Sequence, residues 1–423
     1  MEEPLARPRK FYLLCLTIIS VGLVGSHRPD ALLHPQFFAE DGTIFLQETF
    51  NNGWRKALAN PVAGYYDTLS RLVAAVAILF PLGAAPMIFN AAAIGIQILP
   101  VWFLNTSRFD ELIPDGRMRL ALSFFYLALP NTFEIDANLT NTLWHWALLA
   151  CMVIVSSESR RVLWKIFDVL VVALSGLSGP FSLLLLPSAA LIWYCNRRVW
   201  SLILFGVNVV TAAIQVKVLM SAMGYGSRWP GPLGMGVVSF CRILGGQVFL
   251  GALVGQRGYA MIFAQPWWKT GVVVPLVVTL WGLLVMGYVA WKSNPAMRSF
   301  MLFCGLTFVA ALASPLASRT DPQWPLLAYP ASSARYYFLP MLAWVVCLAW
   351  LVWPQSRYRI LSVMGATALA IMTLVGIPID WNYPPFVDEN YPTYLAQFEQ
   401  APPGTDVTIP INPPPWTMVL HKP

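Results

Sequence analysis

Three observations predict an all-α polytopic membrane protein. Hydrophobic residues make up 57% of the 423-residue chain and charged residues only 11%, against roughly 25% charged in an ordinary soluble domain. No aqueous fold hides that much apolar surface. Apolar runs long enough to cross a bilayer, about 20 residues each, recur along the chain. Lysines and arginines come in small groups beside those runs, the pattern of short cytoplasmic loops. That pattern explains the net charge of +7 better than an affinity for nucleic acid, which is not expected as a partner.

Taken in order, the first helix covers about 11–28 with Arg7, Arg9 and Lys10 inside. Gly25-Ser26-His27 is a poor small-x-small cleavage site, so the helix is expected to be retained. An outer loop, 30–84, follows. Its 65–83 stretch opens with Asp67 and Arg71 and ends in a Pro-Leu-Gly break, so it is expected to lie in the interface. A crossing there would strand Arg108, Arg117 and Arg119 outside.

The second span, 85–105, returns to that basic cluster. Segments 120–129 and 146–155 flank a polar outer stretch at 130–145 and descend to Arg160, Arg161 and Lys165. The later inside clusters are Arg197 with Arg198, Lys292 with Arg298, and Arg357 with Arg359. Outer loops then fall at 221–268, with 236–255 interfacial, and at 316–335. The count is about eleven spans, N-terminus in and C-terminus out; twelve or thirteen is the alternative. Residues 1–378 form the membrane domain and 379–423 a Pro-rich outer tail. The 18 Trp and 34 Pro suit interfacial belts and broken helices. The six cysteines lie in or beside apolar stretches without CxxC spacing and read as buried apolar residues.

Candidate chemistry gathers in the outer loops. Glu40-Asp41 stands just after the first helix, before Gly42 and an amphipathic run with Phe45, Leu46 and Phe50. The plain reading is a helix cap; the functional one is a general base. The stretch 131–145 mixes amides, acids, hydroxyls and rings. Asn138, Asn141, Trp144 and His145 at i, i+3, i+6 and i+7 would share one side of a helix and suit a sugar. The alternative is an N-cap with an interfacial Trp/His belt. A metal site built from His27, His34 and His145 lacks supporting spacing. Glu40, Asp41, Glu134 and Asp136 would offer oxygens to a divalent cation if the loops meet; no metal ligand is assigned.

The acidic pair, then Gly53-Trp54, Asn60-Pro61 and Tyr65-Tyr66-Asp67-Thr68-Leu69-Ser70-Arg71, resembles the first outer loop of the GT-C superfamily of membrane glycosyltransferases. The layout is most similar to bacterial lipid A aminoarabinose transferases and protein O-mannosyltransferases. Leu177-Ser178-Gly179-Pro180 resembles their mid-chain Lys-Gly-Pro break, with Ser178 where a lysine is usual. Ser333-Ala334-Arg335-Tyr336-Tyr337 resembles their Arg-Tyr entry to a late helix. The acidic pair is reversed relative to the aminoarabinose transferases' Asp-Glu.

The resemblance implies a GT-C-like bundle in a bacterial inner membrane. It would move a sugar, with inversion, from a polyprenyl-phosphate donor to an envelope glycan or glycolipid of lipopolysaccharide type on the periplasmic side. The implied roles are Asp41 as base with Glu40 as helper, and Arg335 and Arg71 on the donor phosphate. Either arginine could instead snorkel to the headgroups. Arg228 and Arg319 are weaker phosphate candidates. Tyr65, Tyr66 and Tyr336 join the 138–145 set as sugar or acceptor contacts. The rival readings are a lipid-linked sugar transporter or flippase, which would favour mid-span acids such as Asp168, and an O-antigen polymerase or ligase.

Overall fold

The computed structural model describes residues 7–223, 231–318, 320–353 and 358–423; Arg228, Arg319 and Arg357 lie outside them. Among the described residues, seven helices are long and apolar enough to cross a membrane: Arg9–His27, Leu82–Leu104, Val199–Ser221, Val237–Phe263, Val273–Lys292, Pro295–Ala313 and Arg359–Asp380. The chain is thus a helical multi-pass membrane protein by length and composition.

Seven is fewer than the eleven expected, and the reason is helix length. Thr142–Val155, Phe181–Asn196 and Phe338–Val352 are apolar but shorter, and Gly116–Leu127 and Val162–Gly176 run to only 12 and 15 residues. At 1.5 Å per residue, a 14-residue helix reaches only about 21 Å of a hydrocarbon core about 30 Å thick. Both Thr142–Val155 and Phe338–Val352 are buried over most of their length. Non-helical backbone can therefore continue them at depth while it stays inside protein. Thr68–Ala77, with 10 residues, is far too short to cross.

Val237–Phe263 passes the length test yet is not one straight rod. Gly255 sits at φ 75°, ψ 174°, a backbone open to glycine and costly for other residues. Tyr259 Oη donates to Arg242 O at 3.2 Å, although 17 residues of straight helix would separate the two by roughly 25 Å. The segment folds back on itself. Its entry is bonded to the 323–324 backbone through Pro232 and Leu233. At its exit the Phe263 ring meets Tyr329 at 4.8 Å. Both ends therefore return to the same part of the fold.

One face of the bundle is basic and internally paired. Arg9 and Arg119 both reach Asp110. Arg108 forks onto Asp168 with two 2.9 Å bonds, and Trp200 Nε1 adds a third donor at 3.2 Å. Asp168, the acid that a transporter reading would enlist, is fully committed to this fork.

The opposite face carries the loops that hold Glu40, Glu134 and Arg335 and the tail, which is an ordered unit: a helix, Tyr391–Gln400, and an antiparallel hairpin pairing Asp406–Pro410 with Thr417–His421. This hairpin departs from a purely α fold. It docks on the first loop: Val419 N donates to Gln47 Oε1 at 2.6 Å, and Asn51 bonds both Val419 and His421. Cys151, Cys241, Cys304 and Cys347 are buried as expected, whereas Cys195 is exposed at the end of Phe181–Asn196.

Candidate functional site

The first helix ends at His27, and the chain runs through a turn to Ala39, a non-glycine residue at φ 47°. Backbone held in this sparsely populated region needs surroundings that over-determine it. Here the tail supplies them: Ala39 N donates to Asn412 O and Asn412 N to Phe37 O. Asn412 itself is buried and fixed by side-chain bonds to Val387 N and O at 2.9 and 2.8 Å. The acidic pair follows, and Asp41 starts a single wide helical segment, Asp41–Leu46. The tail packs closely over Gly42, where an added Cβ would meet Ile411 Cδ1 at 2.7 Å.

Asp41 is 0% exposed. Its carboxylate accepts from Leu139 N at 3.1 Å, Thr140 N at 2.7 Å and Thr140 Oγ1 at 2.6 Å. Burial nevertheless pushes its pKa up to about 7, outweighing the three donors, which act the other way. Asp41 thus clamps the loop after the first helix to the one before Thr142–Val155. Glu40 is only half-buried. Burial raises its pKa too, against a bond from its own backbone and the opposing pull of Arg335, with Glu134 pushing further upward. Both expected acids therefore lie at the site, but the accessible carboxyl is Glu40.

Arg335 lies in the short 3-10 turn Ala334–Tyr336. It pairs with Glu134 through Nη1, and its backbone N donates to Glu134 Oε2 at 3.1 Å. Nη2 donates to Leu316 O at 3.2 Å, and the guanidinium stands 4.8 Å over the Tyr336 ring. With its side chain 28% exposed, it can meet a ligand. Burial works against its charge, but Glu134 more than compensates and holds its pKa above the ordinary arginine value.

Arg71, the other expected phosphate contact, is differently placed. Its side chain is 0% exposed and ion-paired to Glu48 at 2.9 Å. The pair is close, yet no guanidinium nitrogen makes an aligned hydrogen bond, so proximity of charge rather than directed bonding holds it. The buried Arg71 guanidinium offers no exposed surface to a ligand.

The Tyr65-Tyr66-Asp67 segment is pinned by the 177–180 break. Ser178 Oγ accepts from Leu69 N at 2.9 Å, Gly179 N donates to Tyr66 O, and Gln215 bonds Tyr66 N and O. Ser178 therefore has a backbone-bonding role. Asp67 caps the helix by accepting from Ser70 N, and burial lifts its pKa to about 6.

The sugar-facing stripe expected at 138–145 is not formed. The helix starts at Thr142, so Asn138 and Asn141 precede it. Their amides are spent inside the loop: Asn138 Nδ2 on Glu134 O and Asp136 O, Asn141 N and Nδ2 on Asn138 Oδ1. Both are buried, as are Trp144, packed on Phe181 and Tyr336, and His145, bonded to Tyr126 Oη at 2.8 Å. The physical reason is that buried loop backbone must find partners, and these amides are the nearest.

Asp136 likewise turns inward, accepting from Gln97, Thr132 and Tyr383. No group of three or more His, Cys, Asp or Glu able to hold a metal ion occurs among the described residues, so Glu40, Asp41, Glu134 and Asp136 do not gather into a cation set. Three residues that shape the site escaped the sequence reading: Thr140, Asn412 and Glu134 in its role as partner of Arg335. Only Glu134 carried a signal, as an acid in a polar outer loop. No family model, curated protein or solved structure matches the chain.

Proposed function

We propose that the protein is a glycosyltransferase of GT-C type. It takes a sugar from a polyprenyl-phosphate donor at the acid-bearing face and passes it to a hydroxyl of an envelope glycan or glycolipid. The observation that carries this reading is Glu40: a half-buried carboxyl with a raised pKa, bonded among the described residues to its own backbone and within electrostatic reach of Arg335. A base poised nearer neutrality serves proton abstraction better than an ordinary surface carboxylate. A guanidinium within electrostatic reach suits a departing phosphate.

In this scheme Glu40 takes the proton of the acceptor hydroxyl, whose oxygen attacks the anomeric carbon. The carbon–oxygen bond to phosphate breaks with inversion, and Arg335 meets the charge gathering on the polyprenyl phosphate. Asp41 holds the two loops together. This exchanges the roles first expected of the neighbouring acids, because three donors already occupy Asp41. Around the site we place eleven passes: six long helices and the five shorter ones, with 237–263 re-entrant and the acid-bearing face periplasmic.

The test is transfer of labelled sugar from a panel of polyprenyl-phosphate donors by purified protein. Glu40→Gln is expected to lower the rate by about 100-fold or more, the usual worth of a general base. Arg335→Ala is expected to raise KM for the donor more than for the acceptor. Wild-type transfer by folded Glu40→Gln protein would remove Glu40 from the reaction.

A further inference from the structure

A cavity of about 200 Å³ lies toward the basic end of the bundle, between Gly116–Leu127, Thr142–Val155, Pro295–Ala313 and Phe338–Val352. Its closed end is Tyr126, Leu148 and Leu342, all buried. Its lining becomes progressively exposed toward Asp115 and Asn294, which form the mouth. The walls between are almost wholly apolar, and such a space stays dry and takes apolar ligands.

The mouth is built differently from the walls. Two helices begin there, capped by Asp115 on Arg117 N at 2.7 Å and by Asn294 on Met297 N at 2.9 Å. Their partial positive charge faces the opening. Arg117, whose own backbone N–H Asp115 caps, and Arg298, one residue beyond Met297, are both exposed. Two nitrogens of Arg298 bond Ala290 O and Trp291 O; Asp115 is engaged with its own helix.

We infer that this cavity binds one chain of an anionic phospholipid, with the headgroup phosphate at Arg117, Arg298 and the two helix N-termini. The lining runs from Met118 to Tyr126, about 12 Å of helix, enough to seat part of an acyl chain. A donor lipid whose phosphate sits at Glu40 and Arg335 enters from the other face. There the cavity is shut by Tyr126, whose hydroxyl is held by His145 and whose ring packs on Phe338. This site is independent of the transferase reading.

Native mass spectrometry of the full-length protein in detergent, titrated with phosphatidylglycerol or phosphatidylcholine, tests it. Wild type is expected to retain one phosphatidylglycerol in preference to phosphatidylcholine. Arg117→Gln should weaken that retention about fivefold, from the ~1 kcal/mol that one basic residue contributes near an anionic headgroup. Met297→Trp, which fills the cavity near its mouth, should abolish retention of both lipids. Equal retention of the two lipids by wild type, or unchanged phosphatidylglycerol retention in folded Met297→Trp protein, overturns the proposal. So does displacement of the bound phosphatidylglycerol by added polyprenyl phosphate, which would mark the cavity as a donor-tail site.

Discussion

Replacing Asp41 by Asn gives a stability change whose size depends on pH. The carboxylate accepts three hydrogen bonds from Leu139 and Thr140. An Asn has one acceptor oxygen, and its NH2 would face at least one of those donors. A buried donor left unsatisfied costs about 1–3 kcal/mol. Opposing that loss, the substitution removes a group that resists ionisation in the fold.

Asp41 has its pKa raised from 3.8 to about 7. A raised carboxyl stabilises the folded state below the unfolded value, and that contribution is lost as pH rises through the folded value. Between about pH 5 and pH 7 the wild type therefore loses two units' worth of proton linkage, roughly 3 kcal/mol, and little more above that. The Asp41→Asn variant loses none of it. Relative to wild type, the variant should look weaker or equal near pH 5 and recover by roughly 3 kcal/mol near pH 8.5. Thermal unfolding in detergent, followed by tryptophan fluorescence at the two pH values, measures this. A difference between variant and wild type that stays constant with pH would refute the titration of a buried Asp41. Because the substitution disturbs the loop clamp, lost transfer activity in Asp41→Asn says little about catalysis; Glu40→Gln is the cleaner test.

Other expectations follow from single contacts. Glu48→Ala leaves the fully buried Arg71 charge without its partner and should destabilise by about 3–5 kcal/mol, read as a lower unfolding temperature; an unchanged temperature would mean that Arg71 finds another acceptor. Gly255→Ala forces a side chain at φ 75° to within 2.6 Å of Asp380 Oδ2. A cost of about 2–4 kcal/mol is expected from backbone strain plus overpacking, and near-wild-type stability would contradict the fold-back at that residue. Asn138→Ala breaks bonds to four loop groups and should lower stability by about 2–4 kcal/mol. If it instead raised KM for a sugar substrate in a stable protein, Asn138 would be a ligand contact after all. A cysteine at the exposed Asn52 should react with an impermeant label from outside intact spheroplasts, and labelling only after permeabilisation would reverse the orientation.

Composition and charge placement were enough to require a bilayer and to bring the polar stretches 30–71, 130–145 and 316–335 to one face. Those properties are additive along the chain: hydropathy is local, and the basic clusters sort loops without knowledge of packing. The acidic pair was legible for the same reason, since two adjacent carboxylates after a span stand out in any arrangement.

What Glu40 and Asp41 each do was decided only by contacts across 98 residues and more. Asp41 is spent because Leu139 and Thr140 arrive beside it, and its environment is dry because the tail closes over Gly42. The stripe from Asn138 to His145 misled for a related reason. A helical period presumes a helix, and the buried loop backbone claimed the two amides first. The stretch 236–255, by contrast, was expected to stay interfacial; the 27 residues of Val237–Phe263 pass a length test for a span, and a single glycine at positive φ turns them back. Hydropathy told which residues shun water; hydrogen-bond partners, supplied by distant segments, determined which polar groups remain free to act.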